Sequence, residues 1–304
     1  MTKLNSYLHL IRFFNPIGFW LLFWPGVWGL LISNNLNVEN FTIVLLGSFL
    51  TRSLGCAIND FADKDFDKDV ERTKTRPLAS EQLTRTEAFV FIIAMALSSI
   101  YLLLQTNAYT IKFVSVIAIP MIIIYPFMKR FIAVPQLFLG LTFGLSLPVS
   151  YSIAAGGLNL EIIFLYIGCV FWIMAYDSYY ALCDVHDDKK LSLNSSAIFF
   201  GTDTQRVTVL FSSLFAISYL IFTIKNASLI LFVGFLFMVG HIYYQNKLSQ
   251  LGRNLEAFKA NNQIGLVITG LLFVHYYGLF NCIKFRQYQR YFLEVPLRRS
   301  IFFS

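Results

Sequence analysis

The sequence predicts an all-α, polytopic membrane protein. Of its 304 residues, 57% are hydrophobic and only 13% are charged, whereas soluble domains carry about 25% charged residues. Nine apolar windows are as long, or nearly as long, as the ~20 residues that a helix needs to cross a bilayer. Because lipid offers the backbone no hydrogen-bond partner, each window is expected to be a helix.

The nine windows follow one another without a change of composition between them. They cover residues 16–34, 41–58, 88–106, 109–127, 134–154, 161–182, 207–224, 227–244 and 262–281. No Gly/Ser-rich linker separates them, so residues 1–281 are predicted to form one domain and residues 282–304 a basic tail of unknown role. No cleavable signal peptide is expected, because no small-residue cleavage site follows the first window. The four cysteines show neither metal-ligand spacing nor a disulfide framework.

The distribution of basic residues predicts the orientation in the membrane. If the N-terminus lies in the cytoplasm, the loops on that side hold Lys64, Lys68, Arg72, Lys74, Arg76, Arg85, Lys129, Arg130, Lys189, Lys190, Arg206, Lys247, Arg253 and Lys259. Loops 34–40 and 155–160, on the opposite side, contain no Lys or Arg. The net charge of +7 is therefore attributed to membrane topology and not to nucleic-acid binding. The basic tail disagrees, because nine spans would place it on the opposite side.

Two acidic clusters, residues 59–67 and 184–188, each follow directly on a long apolar window. In the first cluster, Asn59, Asp63 and Asp67 have the i, i+4, i+8 spacing that places side chains on one helix face, rising about 6 Å per step. Both clusters fall on the predicted cytoplasmic side, after the second and sixth windows. Two helical hairpins of similar plan would bring the two carboxylate groups across one cavity.

These clusters are predicted to bind Mg²⁺. Asp184 and Asp188 repeat the i, i+4 spacing with Asp187 beside them, and Asp60 lies beside the face of the first cluster. Like charges this close raise one another's pKa unless a cation intervenes. Mg²⁺ characteristically combines a few carboxylates with water and substrate phosphates. The alternative is that both clusters are solvated loop charges, which the recurrence of the pattern on one side disfavours.

Basic residues beside the clusters are candidates for binding a diphosphate. Arg72 follows the first cluster, and cations there would neutralise the oxygens of a Mg²⁺-bound diphosphate and stabilise it as a leaving group. Tyr125 and Lys129 lie at i, i+4, a spacing that aims the hydroxyl and the ammonium group at one point. Arg130 follows directly. The alternative for Lys129, Arg130 and Arg12 is that they only anchor the topology at the membrane surface.

Two further residues are weighed as functional candidates. Asp177 falls inside the sixth window, and an intramembrane acid is a functional candidate by default, although a structural hydrogen bond to a neighbouring helix is the alternative. His186 lies between the acids of the second cluster, where a solvated histidine is more common than a metal ligand.

The motifs resemble those of the UbiA superfamily of intramembrane prenyltransferases. The acidic strings that carry the resemblance are Asn59-Asp60-x-x-Asp63-x-x-x-Asp67 and Asp184-x-x-x-Asp188. Further strings are similar to the 4-hydroxybenzoate polyprenyltransferase branch: Arg72-Thr-x-x-Arg76-Pro77-Leu78, Tyr125-Pro-Phe-Met-Lys129-Arg130, Tyr176-Asp177 and Ser195-Ser-Ala-Ile-Phe-Phe-Gly201. The similarity extends from about residue 8 to about residue 280.

The resemblance implies nine transmembrane helices around a central cavity with a cytoplasmic cap. It also implies Mg²⁺-dependent transfer of a polyprenyl group from polyprenyl diphosphate to 4-hydroxybenzoate in ubiquinone synthesis, in a bacterial or mitochondrial inner membrane. The implied metal ligands are Asn59, Asp60, Asp63, Asp67, Asp184 and Asp188. The implied catalytic residues are Asp63, Asp184 and Lys129. The implied substrate-binding residues are Arg12, Arg72, Tyr125, Lys129, Arg130 and Asp177. Among them, Tyr125 and Lys129 match a diphosphate contact of the family, and Arg130 matches a residue that holds the carboxylate of the aromatic acceptor.

The chain departs from the family pattern at several positions. Glu81 stands where the family usually has glycine, which suggests a backbone with positive φ at that position. Phe14 and Asn15 replace a usual acidic–basic pair, and His186 falls where the branch often has another Asp. Two alternatives to the predicted function stay open at this point. One is a divalent-cation channel or transporter with the acids as its selectivity site, and the other is a prenyltransferase of another quinone or haem pathway.

Overall fold

A computed structural model of the chain describes residues 2–68 and 73–278, apart from the side chain of Lys129, and within them it contains helices and no strand. The α-helices are α1 (Lys3–Leu10), α2 (Ile17–Ile32), α3 (Val38–Ala62), α4 (Lys64–Asp67), α5 (Arg85–Leu104), α6 (Ala108–Phe113), α7 (Ile119–Ile124), α8 (Met128–Phe131), α9 (Pro135–Gly144), α10 (Ser146–Ala155), α11 (Leu160–Lys190), α12 (Ser196–Phe200), α13 (Thr204–Lys225), α14 (Leu229–Gln250) and α15 (Asn254–Tyr277). The all-α prediction is confirmed. Arg72 and the predicted tail lie outside the described residues.

Eight helical segments of the described chain are long and apolar enough to cross a membrane. They are Val38–Ala62, Arg85–Leu104, Ala108–Phe127, Pro135–Ala155, Leu160–Lys190, Ser196–Lys225, Leu229–Gln250 and Asn254–Tyr277. Helix α2 is shorter, at 16 residues, but is also apolar and coincides with the first predicted window. Together these segments match the nine predicted windows one for one.

Helix α11 is longer than its window predicted. It runs past residue 182 to Lys190, 31 residues in all, because polar residues beyond the apolar stretch continue the helix without having to face lipid. Its end is a Schellman motif: Ser192 has φ 53°, and the Leu193 N–H donates to the Asp188 carbonyl at 2.9 Å. The second acidic cluster therefore lies on a rigid helix and not in a loop.

The centre of the bundle is held by stacked aromatic rings. The ring centroid of Trp172 on α11 lies 5.2 Å from that of Trp28 on α2 and 5.5 Å from that of Phe215 on α13. The indole N–H of Trp172 donates to Asn261 Oδ1 at 2.8 Å, and that of Trp28 donates to Thr269 Oγ1 at 2.9 Å. Close packing and interhelical hydrogen bonds of this kind hold helices together in lipid, where hydrophobic burial gives little advantage.

The fourth span is irregular, and the irregularity places Tyr125. After α6 the chain forms a π-helical turn at Val114–Ala118, then α7, then a 3₁₀ turn at Tyr125–Phe127. Pro120 and Pro126 lie in this span, and a proline removes an intrahelical hydrogen bond and crowds the preceding turn. The broken span is mostly lipid-exposed along its length but ends with Tyr125 against the bundle interior.

The backbone at Glu81 has the conformation that its departure from glycine suggested. Its φ is 60°, a left-handed conformation that costs a residue with a Cβ atom ~1–2 kcal/mol. The side chain is exposed and pairs with Lys68 at 3.2 Å, and exposed ion pairs contribute little. The strain at this position is therefore hardly offset by the side chain.

We expect Glu81→Gly to unfold at the same temperature as the wild type or higher, because glycine adopts positive φ without steric cost. Glu81→Val should be less stable than Glu81→Gly by ~1–2 kcal/mol, since a β-branched residue is poorly tolerated there. Thermal unfolding of the three proteins in detergent checks this order. Equal stability of the valine and glycine variants would contradict it.

Candidate active site

Both acidic clusters open into one cavity of about 670 Å³. The cavity lies among the ends of α2, α3, α9, α11 and α15, with the 3₁₀ turn of the fourth span on one side. Its acidic and amide lining from the two clusters consists of Asn59, Asp60, Asp63, Asp67, Asp184, Asp187 and Asp188. The structure thus places residues of both clusters in the lining of one cavity.

The first cluster lies on a nearly continuous helical path. Asn59 is in the last turn of α3, and Asp67 ends α4. Although α3 ends at Ala62, the Asp63 N–H donates to the Asn59 carbonyl at 2.9 Å, and the Asp67 N–H donates to the Asp63 carbonyl at 2.8 Å. These i, i+4 bonds preserve the spacing that the single-face prediction assumed.

Asp60 is fully buried and is held by two arginines. Arg12 donates from Nη2 to Asp60 Oδ1 at 2.6 Å and from Nη1 to Oδ2 at 3.0 Å, a bidentate contact. Nη1 of Arg76 lies 3.1 Å from the same Oδ1. A buried carboxylate needs compensation of this kind. The Mg²⁺-ligand role of Asp60 stays a prediction, and these guanidinium contacts to both of its oxygens disfavour it.

Arg76 also extends this network to the end of the first cluster. It donates from Nη1 to Asp67 Oδ2 at 2.8 Å, and the Thr73 hydroxyl donates to the Asp67 carbonyl at 3.1 Å. Burial raises the pKa of the Asp67 carboxyl above its ordinary value, and the charge of Arg76 opposes that rise.

The second cluster presents two largely buried carboxylates from one face of α11. Asp184 and Asp188 are 7% and 6% exposed, and both line the cavity with Asp187. His186 is exposed and is outside the cavity lining, which agrees with a solvated histidine. The loop after this helix is tied to α9, because the Ser196 N–H donates to Gln136 Oε1 at 2.8 Å.

The donor set has the chemistry of a magnesium site. In the described part of the chain, no group of three or more His, Cys, Asp or Glu side chains is close enough together to hold a metal ion by itself. Mg²⁺ does not need one, because it is commonly held by one or two carboxylates with water and substrate phosphates completing the octahedron. Oxygen ligands from two helices facing one cavity fit that mode of binding.

Of the predicted cationic residues, Arg130 and Arg12 can be located at the cavity. Arg130 follows the fourth span, with Nη2 3.6 Å from Asp63 Oδ1 and its guanidinium carbon 5.1 Å from the centroid of the Phe66 ring. Arg12 also lines the cavity. Lys129 lies in α8, but its side chain and the whole of Arg72 lie outside the described residues.

Arg52 is a cavity residue that sequence reasoning left out of the site. It lies on α3, lines the cavity with Tyr125 and Asp177, and its guanidinium carbon is 5.6 Å from the centroid of the Phe143 ring. The absence of a side chain at Gly18 leaves room for the guanidinium group of Arg52. A Cβ atom at position 18 would lie only 2.5 Å from Arg52 Nη2. The signal was available: Arg52 precedes Asn59 by two helical turns, and an intramembrane arginine is a functional candidate by default.

Comparison with known proteins places this fold and cavity in a family. Residues 22–289 match the UbiA prenyltransferase family. The chain belongs to that family. The 4-hydroxybenzoate octaprenyltransferase of Polynucleobacter asymbioticus is 38% identical over 278 residues, which are 90% of this chain and 95% of the relative. The enzyme of the same name from Shewanella sediminis is 38% identical, covering 90% of this chain and 98% of the relative.

Solved UbiA structures share the architecture. A UbiA homolog from Aeropyrum pernix K1 has a TM-score of 0.75 at 21% identity, covering 84% of this chain and 97% of that one. A UbiA homolog from Archaeoglobus fulgidus bound to GPP and Mg²⁺ has a TM-score of 0.72 at 18% identity, covering 89% and 99%. Membership of the UbiA family favours prenyl transfer over the divalent-cation channel as the function of the cavity.

None of the departures from the UbiA pattern replaces one of the acidic residues that line the cavity. Phe14 and Asn15 line its edge, where the Phe14 ring centroid is 4.9 Å from that of His9. Glu81 and His186 are outside its lining. The principal acids of both UbiA motifs are therefore retained.

Proposed function

We propose that this protein transfers a polyprenyl group from polyprenyl diphosphate to the ring carbon ortho to the hydroxyl of 4-hydroxybenzoate, with release of diphosphate, in ubiquinone biosynthesis. The observation that carries the proposal is the convergence of both acidic clusters, from α3–α4 and α11, on one cavity that also contains Arg130 and Tyr125. The protein acts in a bacterial inner membrane, or a mitochondrial one, with the cavity on the cytoplasmic side, where most loop Lys and Arg lie.

Oxygen ligands from both clusters hold the metal in this proposal. They are Asn59, Asp63, Asp67, Asp184 and Asp188. Bound Mg²⁺ supplies charge neutralisation of the diphosphate and polarisation of the C1–O bond. The cationic groups Arg72, Lys129 and Arg130 bind the remaining diphosphate oxygens, and the Tyr125 hydroxyl donates to the same group. This arrangement stabilises the charge that develops on the leaving group.

Cleavage of the C1–O bond releases diphosphate and leaves an allylic cation on the prenyl chain. The cation must be kept from water, and the buried, aromatic-rich wall of the cavity, including Tyr176, Phe143 and Phe258, provides both exclusion and favourable ring faces. Asp184 accepts the proton of the phenol, which makes the ortho carbon a stronger nucleophile. After the C–C bond forms, that carbon loses its proton to the released diphosphate, Asp184 returns its proton to the ring oxygen, and the ring regains aromaticity.

The resemblance implied that Arg130 holds the acceptor carboxylate. We assign that carboxylate to Arg52 instead, and Arg130 to the diphosphate. Arg130 lies beside Asp63, in the layer where metal and diphosphate bind. Arg52 lies beyond that layer, near Tyr125, Asp177 and Phe143. In 4-hydroxybenzoate the carboxylate is para to the hydroxyl, so a ring whose ortho carbon meets C1 directs its carboxylate away from the diphosphate.

The test is product formation by membranes that contain the protein. Radiolabelled 4-hydroxybenzoate and a polyprenyl diphosphate are supplied with Mg²⁺, with EDTA, or with EDTA followed by excess Mg²⁺. We expect a lipid-extractable product with Mg²⁺, none with EDTA, and recovery on adding the metal back. Membranes without the protein are the control. Absence of product with inserted protein and several prenyl lengths would refute the choice of acceptor and direct the search to other aromatic acids.

A further inference from the structure

We propose that Arg12, Asp60 and Arg76 form a positioning clamp that sets the orientation of the first acidic cluster. The inference rests on the proposed function, because it assumes that Asn59 and Asp63 bind the metal. In it Asp60 is a positioning residue, acting through its neighbours on the helix. The three residues come from the linker between α1 and α2, from α3, and from the loop that precedes α5.

The clamp residues are joined by short contacts in a buried setting. Asp60 is 0% exposed and accepts both contacts from Arg12 at 2.6 and 3.0 Å. Nη1 of Arg76 reaches Asp60 at 3.1 Å and Asp67 at 2.8 Å. One carboxylate thus ties together three chain segments that are distant in sequence. Two guanidinium groups on it also disfavour a further cation there by charge repulsion.

Fixing Asp60 fixes the rotation of the cluster. Consecutive residues of an α-helix are separated by about 100° around the axis, so the direction of Asp60 determines the directions of Asn59 and Asp63. The exposures differ accordingly: the Asp60 side chain is 0% exposed, whereas that of Asp63 is 40% exposed. Released from the arginines, the final turn of α3 could rotate or fray, because it is followed by the break at Asp63.

Arg12 is itself held by its backbone conformation and a further hydrogen bond. Arg12 has a left-handed backbone, with φ 59°, and its Nη1 also donates to the His9 carbonyl at 3.1 Å. Leu10, two residues before it, is fully buried with Leu78 and Ala57 in one small apolar cluster. The strained backbone at a non-glycine residue is consistent with a position fixed by its side-chain contacts. A rigid anchor is what a positioning contact requires.

A double-mutant cycle tests the clamp. Arg12→Gln, Asp60→Asn and the double variant are compared for kcat and for Mg²⁺-dependent binding of radiolabelled polyprenyl diphosphate, which needs no acceptor. If the pair acts as one unit, kcat and polyprenyl diphosphate affinity each fall roughly 10-fold in either single variant. In the double variant they fall no further than in the more impaired single variant. Arg12→Lys, which keeps the charge but not the bidentate geometry, should fall between wild type and Arg12→Gln.

A matched control comes from the ion pair between Lys3 and Glu87, at 2.7 Å. These residues join α1 to α5 on the same side of the bundle but do not line the cavity. The Lys3→Gln/Glu87→Gln variant should keep wild-type kcat and binding. All variants are compared as monodisperse protein in detergent, with thermal unfolding to show that they are folded.

The clamp is overturned if the losses of Arg12→Gln and Asp60→Asn multiply, or if Asp60→Asn alone weakens Mg²⁺-dependent binding while folded Arg12 variants bind normally. The latter result would restore Asp60 as a metal ligand. Failure of the proposed function looks different. In that case wild-type protein binds polyprenyl diphosphate but forms no product with 4-hydroxybenzoate, and the binding cycle still decides the clamp.

Discussion

Replacing Asp63 or Asp184 with alanine is expected to abolish prenyl transfer while leaving the protein inserted and folded. Each carboxylate belongs to one of the two clusters that meet in the cavity. Loss of either removes a proposed metal ligand, and with it part of the charge stabilisation of the leaving diphosphate. Removing one electrostatic contributor of this kind typically costs ~10²–10³ in kcat. Product formation from radiolabelled 4-hydroxybenzoate at saturating Mg²⁺ measures the loss.

Asp65 provides the matched control for this prediction. It lies in the same cluster, but its side chain is 72% exposed, pairs with Arg85 at 2.6 Å, and is outside the cavity lining. Asp65→Ala should therefore retain near wild-type turnover. Wild-type turnover in Asp63→Ala or Asp184→Ala would remove the metal assignment of that cluster. An equal loss in all three variants would point to misfolding instead of a lost ligand.

Replacing Arg52 with methionine is expected to raise KM for 4-hydroxybenzoate strongly, with little change in KM for polyprenyl diphosphate. A hydrogen bond to a charged group contributes about 1.5–3 kcal/mol, which corresponds to roughly 10–150-fold in affinity. Methionine keeps much of the apolar volume beside the Phe143 ring while removing the charge. Arg130→Met should show the reverse pattern, because Arg130 is assigned to the diphosphate.

The methyl ester of 4-hydroxybenzoate separates lost charge recognition from a general disturbance of the cavity. The wild type should prefer the acid over the ester, and Arg52→Met should lose most of that preference. If Arg130→Met loses it and Arg52→Met keeps it, the carboxylate is bound by Arg130 and the two assignments are exchanged.

The positions of the membrane helices were predictable because they depend on local composition. Hydropathy over about 20 residues reports the need to satisfy the backbone in lipid, so the nine windows reappear as helices with ends shifted by a few residues. The i, i+4 spacing of Asp184 and Asp188 likewise survives, because it is a property of any helix through those positions. The 3₁₀ turn at Pro126 in the fourth span was less predictable, because a membrane helix can satisfy the backbone groups that a proline leaves unpaired in several ways.

The different surroundings of Asp60 and Asp63 depend on contacts that span distant parts of the chain. Both are acids of one cluster, and composition and spacing do not distinguish a metal ligand from a partner of arginine. The distinction is made by Arg12, 48 residues away along the chain, and by Arg76. Arg52 could have been named a candidate from its place in a membrane helix, but its neighbours Tyr125, Asp177 and Phe143 come from other helices and were visible only in the structure.

Local rules of hydropathy and helical period were thus enough to predict the membrane helices and the spacing of the acids on two of them. Only the tertiary structure showed which carboxylates line the cavity, that Asp60 is paired with arginines, and that Arg52 lines the same cavity. The physical reason is that a helix determines the relative directions of its own side chains. The rotation of a helix about its own axis is set by what packs against it. For α3, these are α2, α5 and the Arg12–Asp60 contact.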